Sequence, residues 1–136
     1  MPIHTMFYIK QNENIPEGMV TSTARKGDKW FDKAKPGDLL ELRVYDDGGR
    51  WDYLIGMGVV TKVERVSHVE CLHRAKENHV CQLPLPEGKR AFEVLEQALL
   101  AAYGPSEPHE PFTMVHCPGS GPGRLLYAPR PWSSRL

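Results

Sequence analysis

Three hydroxyls stand in consecutive positions, Thr21, Ser22 and Thr23, just ahead of a run of cations, Arg25, Lys26, Lys29, Lys33 and Lys35. Trp30 lies among them, and only Asp28 and Asp32 oppose them, so Gly18 to Lys35 is net +3 in a chain that is neutral overall. Small polar groups beside dense cations and an aromatic ring suit phosphates and bases. The cations hold the backbone charge and the ring offers a stacking face. Arg25, Lys26 and Lys29 are therefore candidate phosphate contacts, and Trp30 a candidate stacking residue. The bland alternative is a solvated basic loop with Trp30 as its hydrophobic cover.

Metal chemistry is the other possibility the side chains raise. CLHRAKENHVC contains Cys71, His73, His79 and Cys81, with His116 and Cys117 further on. These are zinc ligand types, but Cys-x-His on a helix points its two side chains to different faces. Neither half has a CxxC or HxxxH step. No metal and no cofactor is expected, and Cys71 reads as a small buried residue of a helix.

The bounds are those of an ordinary globular chain. At 136 residues, with 40% hydrophobic and 25% charged residues, it is long enough for one domain with its own core. Overall neutrality argues against a chain that coats nucleic acid or a membrane with its whole surface, though not against a local basic groove. An odd count of 3 cysteines without a secretory signal pattern suggests reduced thiols and a cytoplasmic home. No apolar run approaches the ~20 residues a membrane span needs. The oligomeric state is not encoded in any pattern.

The elements that must position these groups follow in order. Thr5 to Lys10 reads as a first strand, Gln11 to Gly18 as a connection, and Met19 to Ala24 as a second extended piece. KPGD, Lys35 to Asp38, is a turn. It leads into Leu39 to Tyr45, where Leu40, Leu42 and Val44 alternate with polar residues as in a half-buried strand. DDGG, Asp46 to Gly49, marks a hairpin. Asp52 to Val66 is a long β-rich run interrupted by Gly56 and Gly58, the signature of a bulge or bend that turns a small sheet toward closure. Ser67 and Glu70 make a capping box for a helix to about Asn78. KRAFEVLEQALLAAYG, Lys89 to Gly104, is the clearest helix, with Phe92, Leu95, Leu99 and Ala102 as its apolar stripe and Gly104-Pro105 as its stop. Pro111 to Cys117 is a closing strand. Residues 118–136, with four prolines, three glycines and three arginines, read as a tail outside a domain of residues 1–117. RLLYAP within that tail has the pattern of an added edge strand. Five or six strands and two helices, without βαβ alternation, predict an α+β fold. A small, mostly antiparallel β-barrel with flanking helices fits that tally.

This order of elements, with its PGD turn, resembles the ASCH domain family over about residues 4 to 116. The family motif GxKxxxxR falls on Gly18 to Arg25. Gly18 and Arg25 match, and Val20 stands where the motif has lysine. The resemblance implies a PUA-like barrel that binds RNA or handles nucleobases, with a cleft between barrel and first helix and Gly18–Lys35 at its rim. Some family members remove the acetyl group from N4-acetylcytidine. Carried over residue by residue, their catalytic threonine falls on Thr23 and their glutamate on Glu77 of AKENH, while their lysine has no counterpart. RNA or nucleoside binding is thus the first functional expectation and amide hydrolysis the second. A protein-interaction module using the Pro/Arg-rich tail is the third.

Overall fold

The computed structural model describes residues 2–8, 20–45, 49–78, 81 and 84–120. Leu39 to Tyr45 forms a strand in which Leu40, Leu42 and Val44 are buried and their neighbours are not, as the alternation predicts. It is the middle strand, β3, of a sheet with β1 (Ile3–Tyr8) on one side and β4 (Asp52–Val59) on the other. The β1–β3 pairing is parallel and the β3–β4 pairing antiparallel. In the latter ladder Leu42 opposes Gly56 and Arg43 opposes Leu54, so one residue of β4 is bulged out beside a glycine.

The long β-rich run does not stay in one sheet. At Val60–Thr61 it turns out of β4 and continues as β5 (Lys62–Ser67) in a second sheet, ordered β2–β6–β5 and wholly antiparallel. Here β2 is Val20–Lys26 and β6 is Pro111–Ser120. The turn is pinned from both sides. The Val60 N–H donates to the Asp38 carbonyl at 2.8 Å, the Gly37 N–H to the Val60 carbonyl at 2.7 Å, and the Thr61 N–H to the His116 carbonyl at 2.8 Å. Gly37 supplies the positive φ, 95°, that the KPGD turn requires. Among the described residues the strands thus form two three-stranded sheets rather than one closed barrel. The ladder is interrupted where the long strand changes sheets. Three of the four described pairings are antiparallel, as expected, and β1 joins by parallel pairing.

The residues of β6 alternate between two cores. Val115 and Cys117 join Met6, Leu40, Leu42, Val44 and Val60 between the sheets. Phe112 and Met114 point the other way, to Ala24, Val66, Cys71, Ala75, Leu95 and Leu99 under the helices. Among the described residues there are three α-helices rather than the two expected. The cation segment itself forms α1 (Lys29–Lys33), five residues with none buried. Next come α2 (His68–His73), a 3-10 turn at Ala75–Glu77, and α3 (Ala91–Tyr103). The Ser67 hydroxyl accepts from the Glu70 N–H at 3.1 Å and starts α2 as predicted, but α2 stops at Arg74 and only the 3-10 turn carries on toward Asn78. In α3 Leu95 and Leu99 are buried, while Phe92 and Ala102 lie exposed, so the packed stripe is narrower than its spacing suggests. Strand β6 runs three residues into the stretch read as tail. Residues 121–136, the proposed RLLYAP edge strand and the 11–18 connection lie outside the described residues. No described helix is long and apolar enough to cross a membrane.

Candidate functional site

Opposed residues on antiparallel strands share a side of the sheet, and this rule sorts the candidates. Thr23 opposes Val115, so its side chain, 1% exposed, faces the core between the two sheets. Ser22 opposes His116 and Glu64 opposes Met114, so these face the helices. Glu77 is on the helix side as well, tied through Arg74 to Glu64. Sheet β2–β6–β5 therefore stands between Thr23 and Glu77, and the structure does not bring that pair together. A nucleophile and its proton shuttle need direct contact or one bridging water. The hydroxyl that shares a side with His116 is Ser22, also 1% exposed.

What does assemble on the helix side is a cluster around Arg74. Its guanidinium grips Glu64 with two bonds, 3.1 Å from Nη1 and 2.8 Å from Nη2. It grips Glu77 with two more, 2.8 Å from Nε and 3.0 Å from Nη2, and reaches Glu70 at 3.3 Å. His116 Nε2 lies 2.6 Å from Glu64 Oε2. Arg74 is placed here because α2 ends at it, which turns its side chain across the 3-10 segment toward β5. The hydrogen bonds from Arg74, and secondarily from His116, pull the Glu64 carboxyl down to about 2. Arg74 also holds Glu77 below the usual carboxylate range. The guanidinium is pushed up in turn, first by Glu77 and then by Glu64. In the sequence, Glu77 of this cluster carried a catalytic reading and His116 was one of the zinc ligand types, while Arg74 and Glu64 carried none. Glu64 and His116 sit 52 positions apart, and no local pattern links them.

The predicted nucleic-acid contacts divide between two faces. Lys26, on the helix side with Phe112, is paired with Glu110 at 3.3 Å and reaches the Pro105 carbonyl at 3.5 Å. Arg25 opposes Thr113 on the other side and is half-buried. Lys29 is exposed at the start of α1. Trp30 is half-buried against the first core, edge-on to His4 at 6.2 Å, with the Lys33 ammonium 4.5 Å from its ring centre. His4 is bonded to the buried Asp38 at 2.8 Å. That bond, with one from the Lys35 N–H, lowers the Asp38 carboxyl and fixes the turn after α1. A second ring of α1, Phe31, is the one flanked from outside. The Arg65 guanidinium lies 5.1 Å and the Lys35 ammonium 5.9 Å from its centre, and Arg65 also binds Asp28 at 2.9 Å. Phe31 and Arg65 were missed. The signal was the strand alternation of β5, which turns Val63 and Arg65 toward α1 while Glu64 turns away.

The sulfur and imidazole groups stay apart. Cys71 is buried in α2, and burial pushes its thiol up to about 12. Cys81 is half-buried and likewise raised by burial, and Cys117 belongs to the first core. His79 lies outside the described residues. Among the described residues no three His, Cys, Asp or Glu side chains gather as a metal would require.

A small α+β fold with two sheets sharing one bent strand, and with α2 and α3 on one side, is the class these features define. A crystal structure of a hypothetical protein, PH0355, superimposes on this chain with a TM-score of 0.51 at 18% identity, over 84% of this chain and 95% of that one. At that identity the likeness concerns the fold. No protein-family model and no curated relative matches the chain.

Proposed function

We propose that this chain is an ASCH-type, PUA-like module that binds single-stranded RNA or a modified nucleobase in the cytoplasm, through the surface that β2, α1 and β5 build from Arg25, Lys29, Phe31, Lys33, Lys35 and Arg65. In this reading the two sheets are the halves of a PUA-like barrel, joined at Val60–Thr61. The observation that carries it is the arrangement on α1. Lys29, Lys33 and Lys35 are exposed, and Phe31 lies beside them with Arg65 across it. Exposed ammonium groups hold phosphates electrostatically. An aromatic ring next to them stacks a base, a contact of about 1–3 kcal/mol. Phe31 replaces Trp30 as the leading stacking residue, because Trp30 packs against the first core.

Hydrolysis of an N4-acetylated cytidine has less support. Thr23 and Glu77 lie on opposite sides of a sheet, and Glu77 is held as a carboxylate by Arg74. Two measurements separate the readings. Calorimetric titration with a single-stranded RNA hexamer should give heat that disappears in Phe31→Ala. Incubation with N4-acetylcytidine should release no acetate. Acetate release lost in both Thr23→Ala and Glu77→Ala, without hexamer binding, reverses the order of the two readings.

A further inference from the structure

Across the β2–β6–β5 sheet from α1, α2, the 3-10 turn and the beginning of α3 line an open hollow of about 1090 Å³. Its walls include Val69, Leu72, Leu85 and Phe92. Val69, Leu85 and Phe92 are 42%, 40% and 41% exposed. Three large apolar side chains turned outward around one hollow is more than scattered surface hydrophobicity, and a hollow of this size is at the scale of a small-molecule site. The charged lining residues are Arg74, Lys76, Glu77 and Arg90. Arg74 and Glu77 are engaged with each other and with Glu64. Lys76 and Arg90 also line the hollow and are exposed, so with Arg74 and Glu77 the charged lining is net positive. Phe92 belongs to the predicted apolar stripe of α3, yet it turns into this hollow instead of the core.

We infer that this cavity binds a small amphipathic anion, an acyl or aryl body with one carboxylate-like head. The apolar body lies between Phe92, Leu85 and Val69, and the head lies between Lys76 and Arg90. Burying the body removes the three exposed side chains from water, and the two cations complement the head without disturbing the Arg74 cluster. This inference is independent of the RNA reading, since its residues and those of α1 do not overlap.

The test uses the full chain and 8-anilinonaphthalene-1-sulfonate, an aromatic anion whose fluorescence rises on leaving water, with sodium decanoate as competitor. The expected result is one saturable dye site per chain, emptied by decanoate. The double reversal Lys76→Glu with Arg90→Glu should weaken it by about tenfold or more, on the scale of ~1.4 kcal/mol per decade. Phe92→Ser and Leu85→Ser alter two exposed positions separately, so a folding failure of one, seen by circular dichroism, leaves the other to decide. Lys29→Glu with Lys33→Glu should leave dye binding unchanged while weakening RNA. Absence of dye binding overturns the inference, as does dye that decanoate cannot displace or that ignores the Lys76, Arg90, Phe92 and Leu85 substitutions.

Discussion

At the scale of single residues, Arg74 does the most. One guanidinium satisfies Glu64 and Glu77 in paired bonds and holds the 3-10 segment against β5. Arg74→Met removes that tie and leaves two carboxylates facing one another on a partly buried surface. Its expected cost is about 2 kcal/mol of stability, less than for a fully buried pair because Arg74 and Glu64 keep some solvent, and urea denaturation measures it. The same contacts make stability depend on pH. Glu64 titrates near 4.5 when unfolded and about 2 when folded, so its contribution is present in full above about pH 4.5 and fades as pH falls toward 2. Glu77 and Asp38 are shifted in the same direction and add to this acid sensitivity. Melting temperatures followed from pH 5 to 2 should therefore drop, and Glu64→Gln should flatten the drop. A wild-type curve flat over that interval would refute the Arg74 account.

The elements show where local pattern suffices and where it fails. Leu39–Tyr45 was readable to the residue, because alternation of Leu40, Leu42 and Val44 is a local consequence of one buried face. The Ser67 cap and the Gly104 stop were readable because each satisfies backbone groups within a few positions. Leu95→Ala in α3 should cost about 3 kcal/mol by leaving a cavity among Cys71, Phe112 and Met114. Gly104→Ala should cost about 1 kcal/mol, since its φ of 76° lies where a Cβ is strained. Thermal unfolding of each variant checks both. What pattern could not supply is partner choice. Nothing within Ile3–Tyr8 says that it pairs parallel to β3, and nothing in Asp52–Ser67 says that the turn falls at Val60–Thr61 rather than at Gly56 or Gly58. The turn is held by the Asp38 and His116 carbonyls and the pairing by β3, all distant in sequence from the segments they place. The helix α1 was hidden for a similar reason. Cation spacing marked the segment as polar, and polarity does not distinguish a loop from a short helix with no fully buried residue.

Across the whole molecule, the β2–β6–β5 sheet separates two kinds of surface. On one side β5 sends Arg65 toward the lysines of α1. On the other, β5 and β6 send Glu64 and His116 into the Arg74 cluster. The candidate site was therefore only half legible. Which residues carry charge is written in the sequence, but which face each one reaches follows from register, and register divided Lys26 from Arg25 and Glu77 from Thr23. The cysteines conform to the simpler expectation for Cys71, whose burial makes it a packing residue and a poor nucleophile.

The most direct test of nucleic-acid binding on α1 is fluorescence anisotropy of a labelled single-stranded RNA titrated with the full chain at a series of salt concentrations. The logarithm of the association constant should fall linearly with the logarithm of salt. Reversing Lys29, Lys33 and Lys35 to Glu should make that slope shallower by about two units, at roughly 0.7 per phosphate contact on a single strand. RNA that fails to bind at low salt, or a slope that the triple reversal leaves untouched, would contradict the account.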